Sequence, residues 1–194
     1  PSSITETSFV SDMINEMPKD VSVIEEGILY PLDSSVGSQK IQNNTRLIEQ
    51  YHNSHNGRIT CRYGVQAVDM CTLELLKEVK QLAYEYDVDI FMHVEQSEEE
   101  IEQSLLRYGK RPVALLDELG YLNERLLAAH LKHATYDEVV KVASSRASMA
   151  LCSNSLVLIN GLLPPAQEFM EAGGIVGLGT DQAPGNNCSN MFNE

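Results

Sequence analysis

Val-Asp-Ile-Phe-Met-His-Val-Glu-Gln-Ser-Glu-Glu-Glu, residues 88–100, is the stretch on which the reading of the fold turns. Residues 88–93 form a short run rich in apolar and β-branched side chains, without the strict alternation of a half-exposed strand. The run ends on His93. Ser97 followed by Glu100 is a capping box that opens a helix running to about Gly109. A buried strand therefore leads directly into a helix, and an imidazole sits at the strand's C-terminal tip. Buried parallel strands carry functional groups at that end.

The same unit recurs on the C-terminal side. Leu-Leu-Ala-Ala-His (126–130) predicts a strand over 126–131, and Thr135 with Glu138 opens a second capped helix to about Ala147. A strand over 148–152 runs into a Ser-Asn-Ser loop. Pro164 and Pro165 start a helix that stops at Gly173-Gly174. A strand over 175–180 then ends on Asp181, before a Gly/Asn/Pro-rich loop over 182–190. A short helix is expected after Pro112.

On the N-terminal side, Leu73, Leu76, Val79, Leu82, Ala83 and Tyr86 recur at helical period over 72–86. Before them the sequence predicts a strand over 58–63, a helix over 40–55 and a loop over 31–39. A strand over 21–29 and a helix over 4–17, closed by Pro18, precede those. Strand alternates with helix throughout, which specifies an α/β fold with a parallel sheet. Six strands are predicted. An eight-stranded barrel uses about 250 residues, so 194 residues suit either an open doubly wound sheet or part of a barrel. A nucleotide-binding sheet would need a G-x-G-x-x-G turn after its first strand, and the sequence has none in that context.

Composition narrows the function. The length fits a single domain over 1–194, with no linker or repeat. A net charge of −14 opposes binding to nucleic acid and to anionic membrane surfaces. Glu98, Glu99, Glu100 and Glu102 read as a solvated helix start. The four cysteines (Cys61, Cys71, Cys152, Cys188) form no C-x-x-C pair, which suits reduced thiols and a cytoplasmic protein. No apolar run is long enough to span a membrane. The N-terminus has neither a signal peptide nor an initiator Met, so the expectation is a chain that begins mid-protein.

Three tips thus carry polar groups: His93, His130 and Asp181. Imidazole and carboxylate are ligands of borderline divalent ions such as Zn²⁺ or Fe²⁺. Hydrolysis at such a site needs a water made acidic, a base for its proton and an acid for the leaving group.

The motifs Met-His-Val-Glu-Gln-Ser-Glu-Glu-Glu (92–100), Leu-Leu-Ala-Ala-His (126–130), Leu-Cys-Ser-Asn-Ser-Leu (151–156), Ala-Gly-Gly-Ile-Val (172–176) and Gly-Leu-Gly-Thr-Asp-Gln-Ala-Pro-Gly-Asn-Asn (177–187) carry a family resemblance. From about Ala67 to Glu194 the chain resembles the metal-dependent amidohydrolase superfamily, in the branch of cytosine, guanine and S-adenosylhomocysteine deaminases and triazine hydrolases. The resemblance implies a (β/α)8 TIM-type barrel, represented here by about strands 3 to 8, around one divalent metal, zinc before iron. It implies that His93 and Asp181 are metal ligands. It gives His130 an orienting and proton-shuttling role and makes Asp181 also the base on the water. Ser153 and Asn154 fall near the substrate.

Two departures stand out. The family's strand-1 His-x-His ligand pair is absent. The five histidines are 52, 55, 93, 130 and 133, with His52 and His55 expected at an exposed helix end and His133 in a loop or at a helix start. The branch also usually has His-x-x-Glu after strand 5, whereas position 96 is Gln96, which hydrogen-bonds but transfers no proton. Glu95 is adjacent, but on a regular strand it points elsewhere. The resemblance implies a metal-dependent hydrolase acting on a C–N bond of an amino-substituted heterocycle, with Gln96 facing the small-molecule substrate. The alternative is a catalytically incomplete fragment or scaffold, lacking the strand-1 His-x-His ligands, that acts only within a larger polypeptide or oligomer. Six strands would leave sheet edges needing cover, which favours a homo-oligomer.

Overall fold

The computed structural model describes residues 34–155, 161–181 and 190–193. The strand predicted over 21–29 and the helix over 4–17 lie outside them, as does the loop over 182–189. Among the described residues five parallel strands form one sheet in sequence order: β1 (Tyr63–Val65), β2 (Ile90–Val94), β3 (Leu126–His130), β4 (Ser148–Leu151) and β5 (Ile175–Leu178). The helices of six residues or more among the described residues are α1 (Ser34–Tyr51), α2 (Leu73–Glu85), α3 (Glu98–Tyr108), α4 (Pro112–Glu118), α5 (Tyr136–Ser144) and α6 (Ala166–Glu171). Each strand pairs with the next in register. Tyr63 faces Ile90, Ile90 faces Leu126, Ala128 faces Met149, and Met149 faces Val176.

Alternation divides the sheet into two faces. Tyr63, Val65, Ile90, Met92, Leu126, Ala128 and Met149 lie on one face and are almost wholly buried in the core. α2 adds Leu75, Leu76, Val79 and Ala83 to that core, and α5 adds Val139, Val142 and Ala143. Burying each large apolar side chain stabilises the fold by about 1.5–3 kcal/mol. The opposite face carries Phe91, Leu127, Ser148 and Ala150, all half-buried, and Ile175, which is 71% exposed. Among the described residues β1 and β5 are the outer strands of the sheet.

The helix starts follow the capping residues. Thr72, Ser97 and Thr135 each accept the backbone N–H three residues on, and Thr135 with Glu138 completes a capping box. Gly109 closes α3 in the left-handed conformation.

Four expectations shift. The predicted strand over 58–63 is displaced to β1 at 63–65, and the segment before it includes left-handed residues at Asn53, His55 and Asn56. α1 begins at Ser34, within the predicted loop over 31–39. Ser153 to Ser155 form a helical turn instead of a loop. The charged run opening α3 is not wholly solvated, since Glu100 is 2% exposed.

The connection from α6 to β5 is tight. Phe169 is fully buried, and a Cβ on Gly174 would come within 2.2 Å of its ring. Overpacking of that kind costs about 1–3 kcal/mol. Gly174→Ala should lower the urea midpoint of unfolding accordingly, and an unchanged midpoint would mean that the α6–β5 turn yields freely.

Candidate metal centre at the strand tips

The three polar tips predicted from sequence lie at one end of the sheet. His93 is one residue from the end of β2 and 8% exposed. Its Nδ1 hydrogen-bonds the carbonyl of Gln66 at 2.8 Å, and its backbone N–H donates to the same oxygen at 3.1 Å. A carbonyl can only accept, so Nδ1 carries a proton, and in the neutral ring the lone pair is on Nε2. Imidazole ligates metals in this form, with the other nitrogen anchored to the backbone. His93 belongs to the open face, level with Ala129, Ala150 and Gly177 of the next three strands. A Cβ at Gly177 would meet nothing within 4 Å. Small residues thus leave space beside the ring.

His130 reaches the same place by a different route. Its strand neighbour is Val94, so on a regular strand its ring would point to the helix side. Its φ is 77° and that of Leu131 is 52°, both left-handed. This turn carries the ring across to stack on His93, with centroids 5.2 Å apart and planes at 22°. Left-handed non-glycine residues cost about 1–3 kcal/mol each and gather where function requires them. His130 is 2% exposed, and its Nδ1 is buried with no hydrogen-bond partner among the described residues. Burial first, then the neighbouring His93, pushes its imidazole down to about 4, while the charge of Asp181 opposes the shift. Burial thus favours the neutral form of the ring.

Asp181 follows β5 with φ 55°. Its Oδ2 accepts from the hydroxyl of Ser155, which is fully buried in the turn after β4. Gly179 permits the approach of the two tips, because a Cβ there would meet the Cys152 sulfur at 2.9 Å. Ser153 and Asn154 are half-buried in the same turn. The sequence offered no direct sign of Ser155 as the partner of Asp181, although its place in the Ser-Asn-Ser run was visible.

Gln96 and Glu95 part company, but not through strand alternation: both lie past the end of β2, and Glu95 is left-handed. Gln96 is half-buried, whereas Glu95 is fully buried with φ 51° and pairs with Arg111 at 2.7 Å. Burial first, then the charge of Glu138, pushes the Glu95 carboxyl up to about 7 against the pull of Arg111. Glu100, expected to close its capping box on Ser97, instead accepts the backbone N–H groups of Glu95 (3.0 Å) and Gln96 (2.9 Å). These buried groups were missed in the sequence because a run of glutamates reads as solvated. His133 is a loop residue, as expected. His52 is tied up structurally, its Nδ1 accepting from the Cys61 N–H at 3.1 Å, and His55 is exposed.

The donor chemistry suits a borderline divalent ion in part. The Nε2 lone pair of His93 and the carboxylate of Asp181 are appropriate donors. Among the described residues, however, no three His, Cys, Asp or Glu side chains group closely enough to hold a metal by themselves. No helix among them is long and apolar enough to cross a membrane.

The Glu100 clamp has a pH signature. Burial raises its carboxyl to about 8, against the two amide donors. The unfolded value is about 4.5, so folding takes up a proton between roughly pH 4.5 and 8, and stability falls as pH rises through that window. Glu100→Gln should be less stable by about 1–3 kcal/mol, because its amide N–H₂ confronts a backbone donor. Urea titrations at several pH values should also show that this part of the downward slope is absent in the variant. Parallel slopes would mean that Glu100 is ionised in both states.

Comparison with known proteins gives the family. The model of the amidohydrolase family matches residues 2–194. The 5-methylthioadenosine/S-adenosylhomocysteine deaminase of Moorella thermoacetica is 32% identical over 169 residues, covering 87% of this chain and 39% of that protein. The enzyme of the same name from Desulfitobacterium hafniense is 35% identical over 158 residues, covering 81% of this chain and 37% of its own length. Among solved structures, an adenosine deaminase from Xanthomonas campestris with bound zinc superposes with a TM-score of 0.76 at 27% identity, over 81% of this chain and 35% of that one. Atrazine chlorohydrolase from Arthrobacter aurescens, complexed with zinc, gives 0.75 at 26% identity, over 84% and 38%. The chain thus spans under two fifths of the length of each of these proteins. It belongs to the amidohydrolase family, and its parallel strands are part of that family's (β/α)8 barrel.

Proposed function

We propose that this chain, as a single barrel domain over 1–194, supplies part of the active site of a metal-dependent hydrolase that cleaves a C–N bond of an amino-substituted heterocycle. One observation carries the reading: His93, anchored through Nδ1 and presenting Nε2, faces His130 beside Asp181. The zinc-bearing neighbours and the deaminase relatives support it.

His93 and Asp181 would hold one divalent ion, zinc before iron. Bound there, the ion supplies a water acidified towards neutrality. Asp181 takes a proton from the attacking water, and the hydroxyl of Ser155 keeps the carboxylate aimed. His130 orients the water or the substrate and would relay to the leaving group the proton that Asp181 takes from the water, returning to its neutral form. Gln96 hydrogen-bonds a ring edge without exchanging its proton, which favours a ring that reacts without protonation. Ser153 and Asn154 border the substrate. The partner is a small molecule rather than nucleic acid or membrane, and the location is cytoplasmic.

A second reading rests on the same donor count. Two ligands fall short of the three that a catalytic zinc usually has, so the chain acts only with donors from elsewhere in a larger polypeptide or assembly. The exposure of Ile175 (71%) and Leu178 (52%) on β5 fits a sheet edge covered by further strands or by a second copy in a homo-oligomer.

Ammonia release from methylthioadenosine, adenosine and other aminated heterocycles tests the proposal, with metal content measured alongside. His93→Asn and Asp181→Asn should each lower turnover by about 10²–10⁴-fold and reduce bound zinc. Gln96→Glu should shift preference among the heterocycles. Metal content unaffected by the two ligand variants, with no ammonia released from any compound, would contradict the assignment. Zinc bound with less than one equivalent and no turnover by the isolated chain is the result that the second reading expects.

A further inference from the structure

His130 poses a problem of orientation. The His93 ring is held by the Gln66 carbonyl, but His130 Nδ1 has no hydrogen-bond partner among the described residues. The direction of its ring is therefore set by its backbone, which is left-handed at His130 and Leu131. Whatever stabilises that turn aims the ring.

The turn is zipped to the tip of β2. Leu131 N–H donates to the Val94 carbonyl at 3.0 Å, and His133 N–H donates to the Glu95 carbonyl at 2.9 Å. Across this pair of segments lies Arg111, the residue before Pro112 at the start of α4. Its Nη2 donates both to Glu95 Oε2 (2.7 Å) and to the His133 carbonyl (2.9 Å), while its Nε donates to Glu138 Oε1 (2.7 Å). Glu138 is in turn fixed by Thr135 N–H and Oγ in the α5 capping box. One planar guanidinium thus joins the tip of β2, the loop after β3 and the start of α5.

We propose that Arg111 is a positioning residue that acts through the paired 94–95 and 131–133 segments to hold His130 stacked on His93. Arg is required because only a fork of fixed geometry reaches a carboxylate, a carbonyl and a second carboxylate in one plane. Lysine keeps the charge but not the fork. Arg111 hydrogen-bonds neither ring, and the Glu95–Arg111–Glu138 cluster, buried at Glu95 and half-buried at Arg111 and Glu138, is left unused by the hydrolytic chemistry. Its significance for catalysis rests on the proposed function, but the ring contact is testable without metal or substrate.

The experiment is nuclear magnetic resonance on the full chain with isotope-labelled histidine. The wild type should show a nuclear Overhauser effect between the His93 and His130 rings, with ring-current displacement of both. In Arg111→Lys that effect should be lost and both sets of ring signals should move, while His52 and His55 stay in place and the spectrum remains dispersed. Arg111→Gln serves the same purpose if the lysine variant does not fold. In Glu138→Gln, which leaves both Nη2 bonds, the ring contact should persist. A folded Arg111→Lys or Arg111→Gln with unchanged ring signals would overturn the proposal, as would loss of the contact in Glu138→Gln. A purely structural role would lower the unfolding temperature and leave the ring signals of the folded protein alone. None of these results bears on whether His93→Asn loses zinc, so the two readings fail separately.

Discussion

The site depends on one constraint: the register between β2 and β3, and the break in that register one residue past it. Parallel pairing sets His93 beside Ala129 and Val94 beside His130. Had the strand continued regularly, the two imidazoles would lie on opposite faces of the sheet. The left-handed turn at His130 and Leu131 brings them to the same face at 5.2 Å. Similar turns at Glu95 and Asp181 show that the sheet departs from ideal geometry where its polar tips converge.

That geometry is costly, and buried polar bonds offset the cost. Glu100 gathers two backbone N–H groups, Arg111 links Glu95 with the His133 carbonyl, and Ser155 holds Asp181. Buried charges persist only when paired and hydrogen-bonded, and here the pairing lies directly behind the tips. The open face meanwhile bears small residues beside His93, with Ala129, Ala150 and Gly177 at its level. Support on one side and space on the other is what a pre-organised site needs.

Much of this was legible in the sequence. The apolar strands, the capping residues Thr72, Ser97 and Thr135, and the turn glycines Gly109 and Gly173-Gly174 have local causes, and they lie where local physics puts them. The positions of His93, His130 and Asp181 at strand tips were visible for the same reason. β1 was not, because a short strand near an irregular left-handed turn has little periodicity to read. The burial of Glu95 and Glu100 was hidden too, since their partners are backbone amides and an arginine that the fold brings in. The side of the sheet on which His130 lies depends on a single backbone angle, which no pattern of residue types specifies.

In the proposed site His93 would bind metal through Nε2 while Nδ1 stays bonded to the Gln66 carbonyl. Titrating zinc into the chain with ¹⁵N-labelled histidine tests this most directly. On zinc binding the Nε2 resonance of His93 should move while Nδ1 keeps its proton and its coupling. Zinc that binds without disturbing His93, or that takes Nδ1 in place of Nε2, would contradict it.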